Sequence, residues 1–280
     1  LVLSIYVGPV SLANYSISQN YETIYSNITA PLSNVLFPSF SKLIITEDQH
    51  KISLIYNYAN FYMSLFVFPL TFGILLLSNH MVVILYGTTF LYASGFINLI
   101  ILKYFLIGAG SLANTKLIQS QGDTKYLLTL ELMGIFKYIL LTPIIIYDLN
   151  AFLFIDFILS IPLTIYVFYW IYEKYGITND WNNILKLFIS SLLTTLIVQN
   201  CLSILNLTSN YSLFIGFILY ILFYMIILPL IGAIKDEHLD YLEVNLKGLG
   251  LIVLLFNYPI GIIRYIISQI SRTKCDDESI

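Results

Sequence analysis

The sequence predicts an all-α fold, a polytopic membrane helix bundle of about seven transmembrane helices followed by a cytoplasmic amphipathic helix. Composition is the first reason, because 58% of the residues are hydrophobic and only 10% are charged, with a mean hydropathy of +0.84. Ordinary soluble domains carry about 25% charged residues. The second reason is a series of long apolar segments, and the third is the way lysine alternates between the loops that separate them.

Seven apolar segments are long enough to cross a bilayer, which takes about 20 residues of helix. They are residues 12–37, 59–85, 91–117, 126–147, 150–172, 184–205 and 211–233. Each is interpreted as one transmembrane helix.

The breaks between these segments alternate in charge. Lysine occurs in residues 38–58, 118–125, 173–183 and 234–248, whereas residues 8–11, 78–90, 148–149 and 206–210 contain neither lysine nor arginine. Basic loops of membrane proteins stay on the cytoplasmic side. The pattern therefore predicts a multi-pass protein of the cell (cytoplasmic) membrane, with its C-terminal tail in the cytoplasm.

The first apolar segment carries a stripe of polar side chains on one helical face, opposite a face of Tyr, Ile and Leu. The bilayer core offers no water to satisfy such groups. The stripe is therefore expected to face other helices or a wet cavity, as in a transporter. Its candidate substrate-cavity residues are Gln19, Asn20, Thr23, Ser26, Asn27 and Asn34.

Ionisable residues well inside the predicted spans are few, and charge there is costly and marks function by default. Lys103 and Lys137 lie at comparable depths on consecutive antiparallel helices, so both are expected to face one cavity, where they would suit an anionic substrate. The alternative is that each lysine snorkels or pairs with a carboxylate of a neighbouring helix. Glu22, Glu131 and Asp156 are candidates for ion coupling or for such charge pairs.

Several classes of function are disfavoured by the sequence. The 13 Lys and Arg residues are dispersed rather than clustered, which argues against nucleic acid as a partner. His50, His80 and His238 are far apart, so no metal site is expected. No phosphate-binding loop and no nucleophile elbow appears, so the sequence predicts no cofactor, no catalytic residue and no enzyme activity.

The C-terminal region is the ambiguous one. Residues 249–270 are apolar, but Pro259 interrupts them and Arg264 would lie near the outer end of an eighth crossing. They are interpreted as an amphipathic helix on the cytoplasmic membrane surface, with a true crossing as the alternative. The expected parts are a transmembrane region (1–235), an amphipathic region (236–271) and a polar disordered tail (272–280).

Several motifs together resemble a known family. They are Gly8-Pro9, Ala13-Asn14-Tyr15-Ser16, Leu36-Phe37-Pro38-Ser39-Phe40-Ser41-Lys42-Leu43, Phe68-Pro69-Leu70, Ile84-Leu85-Tyr86-Gly87-Thr88-Thr89-Phe90 and Gln121-Gly122-Asp123-Thr124-Lys125. These residues resemble the second half of a polysaccharide-export flippase, in the Wzx-type branch of the multidrug/oligosaccharidyl-lipid/polysaccharide exporter superfamily. The resemblance covers roughly residues 1–235.

The resemblance implies the C-terminal lobe of a two-lobed transporter, which passes a lipid-linked oligosaccharide or polysaccharide precursor across the membrane by alternating access. The implied partners are the lipid-linked glycan, membrane lipids and an N-terminal lobe of the same protein that would precede this sequence. A cation-coupled small-molecule or drug exporter of the same superfamily is the alternative. A membrane-embedded glycosyltransferase or glycan polymerase is a third reading.

Overall fold

The computed structural model describes residues 8–43, 45–205, 208–234, 238–240 and 261–269. Over these residues the protein is almost entirely α-helical and has no β-strand, which confirms the predicted all-α fold. The main elements in chain order are α1 (Pro9–Ser41), α2 (Ile45–Tyr86), a 3-10 turn (Thr88–Phe90), α3 (Ala93–Ile101), α4 (Tyr104–Gly108), α5 (Ser111–Ser120), α6 (Thr124–Tyr147), α7 (Leu149–Tyr175), α8 (Trp181–Leu205) and α9 (Ser209–Leu230).

Within the described part of the chain, five helices are long and apolar enough to cross a membrane: α2, α6, α7, α8 and α9. A sixth span results if α3, α4 and α5 count as one broken helix. Helix α1 has 33 residues, which is ample length, but it does not meet the same apolar requirement because of its polar stripe. The polytopic helix bundle is thus confirmed. The remaining predicted span, residues 12–37, corresponds to the unusually polar α1.

Two predicted loop boundaries are wrong. The predicted break at residues 38–58 is largely helical, because α2 begins at Ile45 and continues past a kink at Asp48. The same helix runs to Tyr86, so most of the predicted break at 78–90 is helical as well. Ile52 and Tyr56 explain the first error. They lie one helical turn apart and are both buried, so polar residues around them occupy the outer face of a helix rather than a loop.

The predicted span at residues 91–117 is broken. Ala93–Gly108 and Ser111–Ser120 meet at an angle of 55°. Gly110 lies between them with φ of +113°, a conformation that glycine adopts without steric cost. A Cβ at this position would stand 2.8 Å from Oδ1 of Asn60, so the break is also closely packed against α2.

Buried hydrogen bonds hold this break in place. Ser64 of α2 donates its hydroxyl to the carbonyl of Gly108, and Asn179 donates its side-chain amide to the carbonyl of Ala109 at 3.0 Å. Asn60 in turn donates to Oδ1 of Asn179. Carbonyls freed by a helix break must find partners away from water, and these side chains provide them. We call these residues the break network.

Packing within the first part of the chain places α1 along α3 and α5, and α6 along α7. Tyr25 of α1 stacks on Tyr104 with ring centroids 3.6 Å apart. An apolar cluster joins α3, α6 and α7 and includes Phe96, Leu141 and Phe152. These contacts bring α1, α3, α6 and α7 together around one region, which contains the candidate site.

The chain forms two compact units, Leu1–Ile184 and Leu185–Ile280. In the second, the hydroxyl of Tyr220 on α9 donates to the carbonyl of Ser191 on α8 at 3.3 Å.

Of the predicted amphipathic region, residues 261–269 are helical, with Ile263 buried and Arg264 paired to Asp240 at 2.7 Å. Most of the region 236–271 and the whole tail 272–280 lie outside the described residues, so the predicted three-part division stays a prediction.

Candidate functional site

The predicted stripe lies on the exposed face of α1. Its six candidate residues are all exposed: Gln19, Asn20, Thr23, Ser26, Asn27 and Asn34. The hydroxyls of Thr23 and Ser26 donate back to carbonyls of their own helix, at 2.6 and 2.9 Å. The side-chain amides of Asn20, Asn27 and Asn34 make no hydrogen bond within the described part of the chain. These three amides are therefore open to water or to a ligand.

A cavity of about 420 Å³ lies on the neighbouring face of α1, inside the first compact unit. Its polar lining consists of Tyr15, Glu22, Lys103, Tyr138, Thr142 and Asp156. Its apolar lining consists of Leu99, Ile100, Ile145, Phe152, Leu153 and Phe157. The cavity is therefore amphipathic, with charged and hydroxyl groups facing an aliphatic and aromatic wall.

Helical periodicity explains why these side chains converge. Side chains three, four or seven residues apart share one face of an α-helix. Tyr15 and Glu22 are seven residues apart on α1, and the cavity-lining pairs of the other helices are each four apart: Leu99 with Lys103, Tyr138 with Thr142, and Phe152 with Asp156. Each helix thus contributes one stripe to the cavity.

Lys103 and Glu22 form an ion pair across the cavity. Lys103 lies at the junction of α3 and α4, and its Nζ contacts Oε1 of Glu22 on α1. The two side chains remain 42% and 33% exposed, so water still reaches both charges. Lys103 Nζ also lies 5.7 Å from the ring centroid of Tyr104.

Lys137 and Asp156 form a second, more deeply buried ion pair between α6 and α7. The Nζ to Oδ1 distance is 2.6 Å, and the side chains are only 11% and 19% exposed. Lys137 also donates to Oγ of Ser160 at 3.0 Å and lies over the ring of Tyr138. Asp156 lines the cavity, whereas Lys137 stands behind it.

The lysines of the candidate site pair with carboxylates, as one of the two alternatives for them expects. Both lysines pair with a carboxylate on a neighbouring helix, and only Lys103 lines the cavity directly. Glu131 is exposed on α6 and lies apart from this site. Among the described residues, no group of three His, Cys, Asp or Glu side chains is placed to bind a metal ion.

Sequence reasoning missed three polar residues of the cavity lining, Tyr15, Tyr138 and Thr142, and all of its apolar lining. A signal for Tyr15 existed, because it lies two helical turns before Glu22 on the same face. Gln19 of the stripe donates to the Tyr15 hydroxyl at 3.3 Å. The exposed stripe and the cavity are therefore joined at this tyrosine.

Comparison with known proteins gives one finding. A family described as "Polysaccharide biosynthesis protein" matches residues 1–95, which contain all of α1 and α2. No curated protein and no solved structure matches the chain. The match supports the resemblance to the Wzx-type branch that the motifs indicated. With its membrane-spanning helices, the chain is a multi-pass membrane protein whose first third is similar to polysaccharide biosynthesis proteins.

Proposed function

We propose that this chain is part of a transporter that translocates a lipid-linked oligosaccharide or polysaccharide precursor across the cytoplasmic membrane by alternating access. The observation that carries the proposal is the exposed polar stripe of α1, on a helix of 33 residues that adjoins an amphipathic cavity. The match of residues 1–95 to polysaccharide biosynthesis proteins supports it.

The chemistry of the stripe suits a saccharide. A sugar that leaves water loses hydrogen bonds, which is costly unless other groups replace them. Carboxamides both donate and accept, and they carry no fixed charge. The amides of Asn20 and Asn27 are free to do this, while the lipid tail of the precursor would stay in the bilayer.

The alternation of lysine supports an orientation for the proposed transporter. With the basic loops inside, α1 runs from the outer to the inner side and its Phe37-Pro38 end lies at the cytoplasmic mouth. The same assignment puts the C-terminal tail in the cytoplasm and the protein in the cytoplasmic membrane.

Export of glycan in cells tests the proposal. Asn20→Leu or Asn27→Leu removes one free amide from the stripe, and we expect glycan export to fall by roughly tenfold, as the loss of one or two hydrogen bonds implies. Lipid-linked glycan should accumulate inside. Asn200→Leu is the matched control, because Asn200 is an exposed amide on α8 outside the stripe. Normal export by both stripe variants would refute the assignment.

A second candidate is a cation-coupled exporter of small molecules. The observation that favours it is the pair of carboxylates, Glu22 and Asp156, at one cavity. Both are engaged by lysines, which leaves them less available to a cation. Drug efflux that depends on sodium or protons, measured with the same variants, would favour this alternative.

A further inference from the structure

We infer that the cavity binds the uncharged saccharide part of its ligand and excludes phosphate groups while its two ion pairs are intact. This inference rests on the proposed function and specifies which part of the precursor the site recognises. It follows from the charge balance of the cavity, the burial of one ion pair and the chemistry of the remaining walls.

The charges at the cavity cancel. Lys103 is neutralised by Glu22, and Lys137 by Asp156. Among the described lining residues, the other polar groups are the hydroxyls of two tyrosines and one threonine. A phosphate therefore meets as many negative as positive charges, and gains no net Coulomb attraction on entering.

Exchange of partners is also unfavourable at the deeper pair. For a phosphate to take Lys137, Asp156 would be left as a carboxylate without its cation at a position only 19% exposed. An uncompensated buried charge is strongly destabilising. Ser160 accepts a further hydrogen of the same ammonium group, so only one of its three donor hydrogens remains for an incoming anion.

An uncharged sugar fits these walls better. Its hydroxyls can donate to the oxygens of Glu22 and Asp156 without disturbing either lysine, because a carboxylate offers several lone pairs. The rings of Tyr15 and Tyr138 present apolar faces with a hydroxyl at the edge. The volume of about 420 Å³ is at the lower end for ligand pockets, so the cavity takes part of a precursor rather than a long polymer.

Protection of a cysteine from labelling tests the inference in the whole chain. Thr142→Cys lines the cavity, and Cys201→Ser with Cys275→Ser removes the native thiols. The protein is reconstituted in phosphatidylcholine nanodiscs, labelled with a maleimide, and challenged with octyl glucoside below its critical micelle concentration or with geranyl diphosphate. We expect the glucoside to slow labelling and the diphosphate to leave the rate unchanged.

Asp156→Asn should reverse this selectivity. The substitution releases Lys137, so geranyl diphosphate should now protect the cysteine with about tenfold higher affinity or more, the gain of one charge-assisted contact of ~1.4 kcal/mol. Glu22→Gln should act in the same direction through Lys103, and it serves if Asp156→Asn does not fold. Asp148→Asn is the matched control, because Asp148 is exposed and lies outside the cavity.

Equal protection by geranyl diphosphate in the wild type and in both charge variants would overturn the inference, and so would failure of the glucoside to protect. These readouts do not depend on export. If Asn20→Leu and Asn27→Leu export glycan normally while the labelling results hold, the transport proposal fails and the ligand preference of the cavity stands.

Discussion

Removal of one partner from the Lys137–Asp156 pair is expected to destabilise the protein much more than removal of both. Lys137→Met leaves Asp156 as a carboxylate without a cation, and Asp156→Leu leaves an ammonium group without an anion. The double variant replaces the pair with two apolar side chains of similar size, which is often neutral at buried sites.

The burial of the pair sets the magnitude. With side chains 11% and 19% exposed, this pair is close to the buried limit, where loss of one partner costs roughly 3–5 kcal/mol. We therefore expect about 3 kcal/mol for each single variant and about 1 kcal/mol or less for the double variant. The Lys103–Glu22 pair, at 42% and 33% exposed, should lose only about 1 kcal/mol or less per single change.

Unfolding in mixed micelles with rising dodecyl sulfate, followed by tryptophan fluorescence, measures these differences. A double-mutant cycle on each pair then isolates the coupling energy. The reasoning is refuted if Lys137→Met unfolds at the same dodecyl sulfate concentration as the wild type. It is also refuted if the loss of stability in the double variant equals the sum of the losses in the two single variants.

Two further predictions concern the break and the topology. Gly110→Ala should destabilise the protein by roughly 2–4 kcal/mol, since φ of +113° strains alanine and its Cβ would press on Asn60. The control Gly134→Ala, with open space around it, should be neutral or slightly stabilising. Equal unfolding free energies for the two variants would contradict this account. In cells, Asn210→Cys should react with an impermeant thiol reagent and Lys51→Cys should not, and the reverse pattern would invert the proposed orientation.

The helical bundle was predictable because its signal is long and repetitive. Apolar segments such as 126–147 and 184–205 closely match α6 and α8, since burial of backbone polar groups in lipid leaves little alternative to a helix. The break at Gly110 was missed although Gly108 and Gly110 stand close together in the sequence. Hydropathy averages over such a pair, and the asparagines that stabilise the break lie far away along the chain.

The sequence indicated where along the helices the charged residues of the candidate site lie, but not which neighbours their side chains contact. The positions of Lys103 and Lys137 along their helices placed both near the same level of the bilayer, and the structure brings both close to one cavity. Their partners depend on how each helix is rotated about its axis. That rotation is fixed by packing of residues such as Phe96 and Leu141, which the periodicity of a single helix does not reveal.

The break network has a consequence for biosynthesis. Its closing hydrogen bonds join Asn60 to Asn179, 119 residues further along the chain, and Asn179 to the carbonyl of Ala109. While the chain emerges from the ribosome, the amide of Asn60 and the carbonyl of Ala109 have no access to Asn179 until synthesis has passed the end of α7. The early helices can enter the membrane one by one, but the interior around the bend reaches its final hydrogen bonding only after residue 179 has been made.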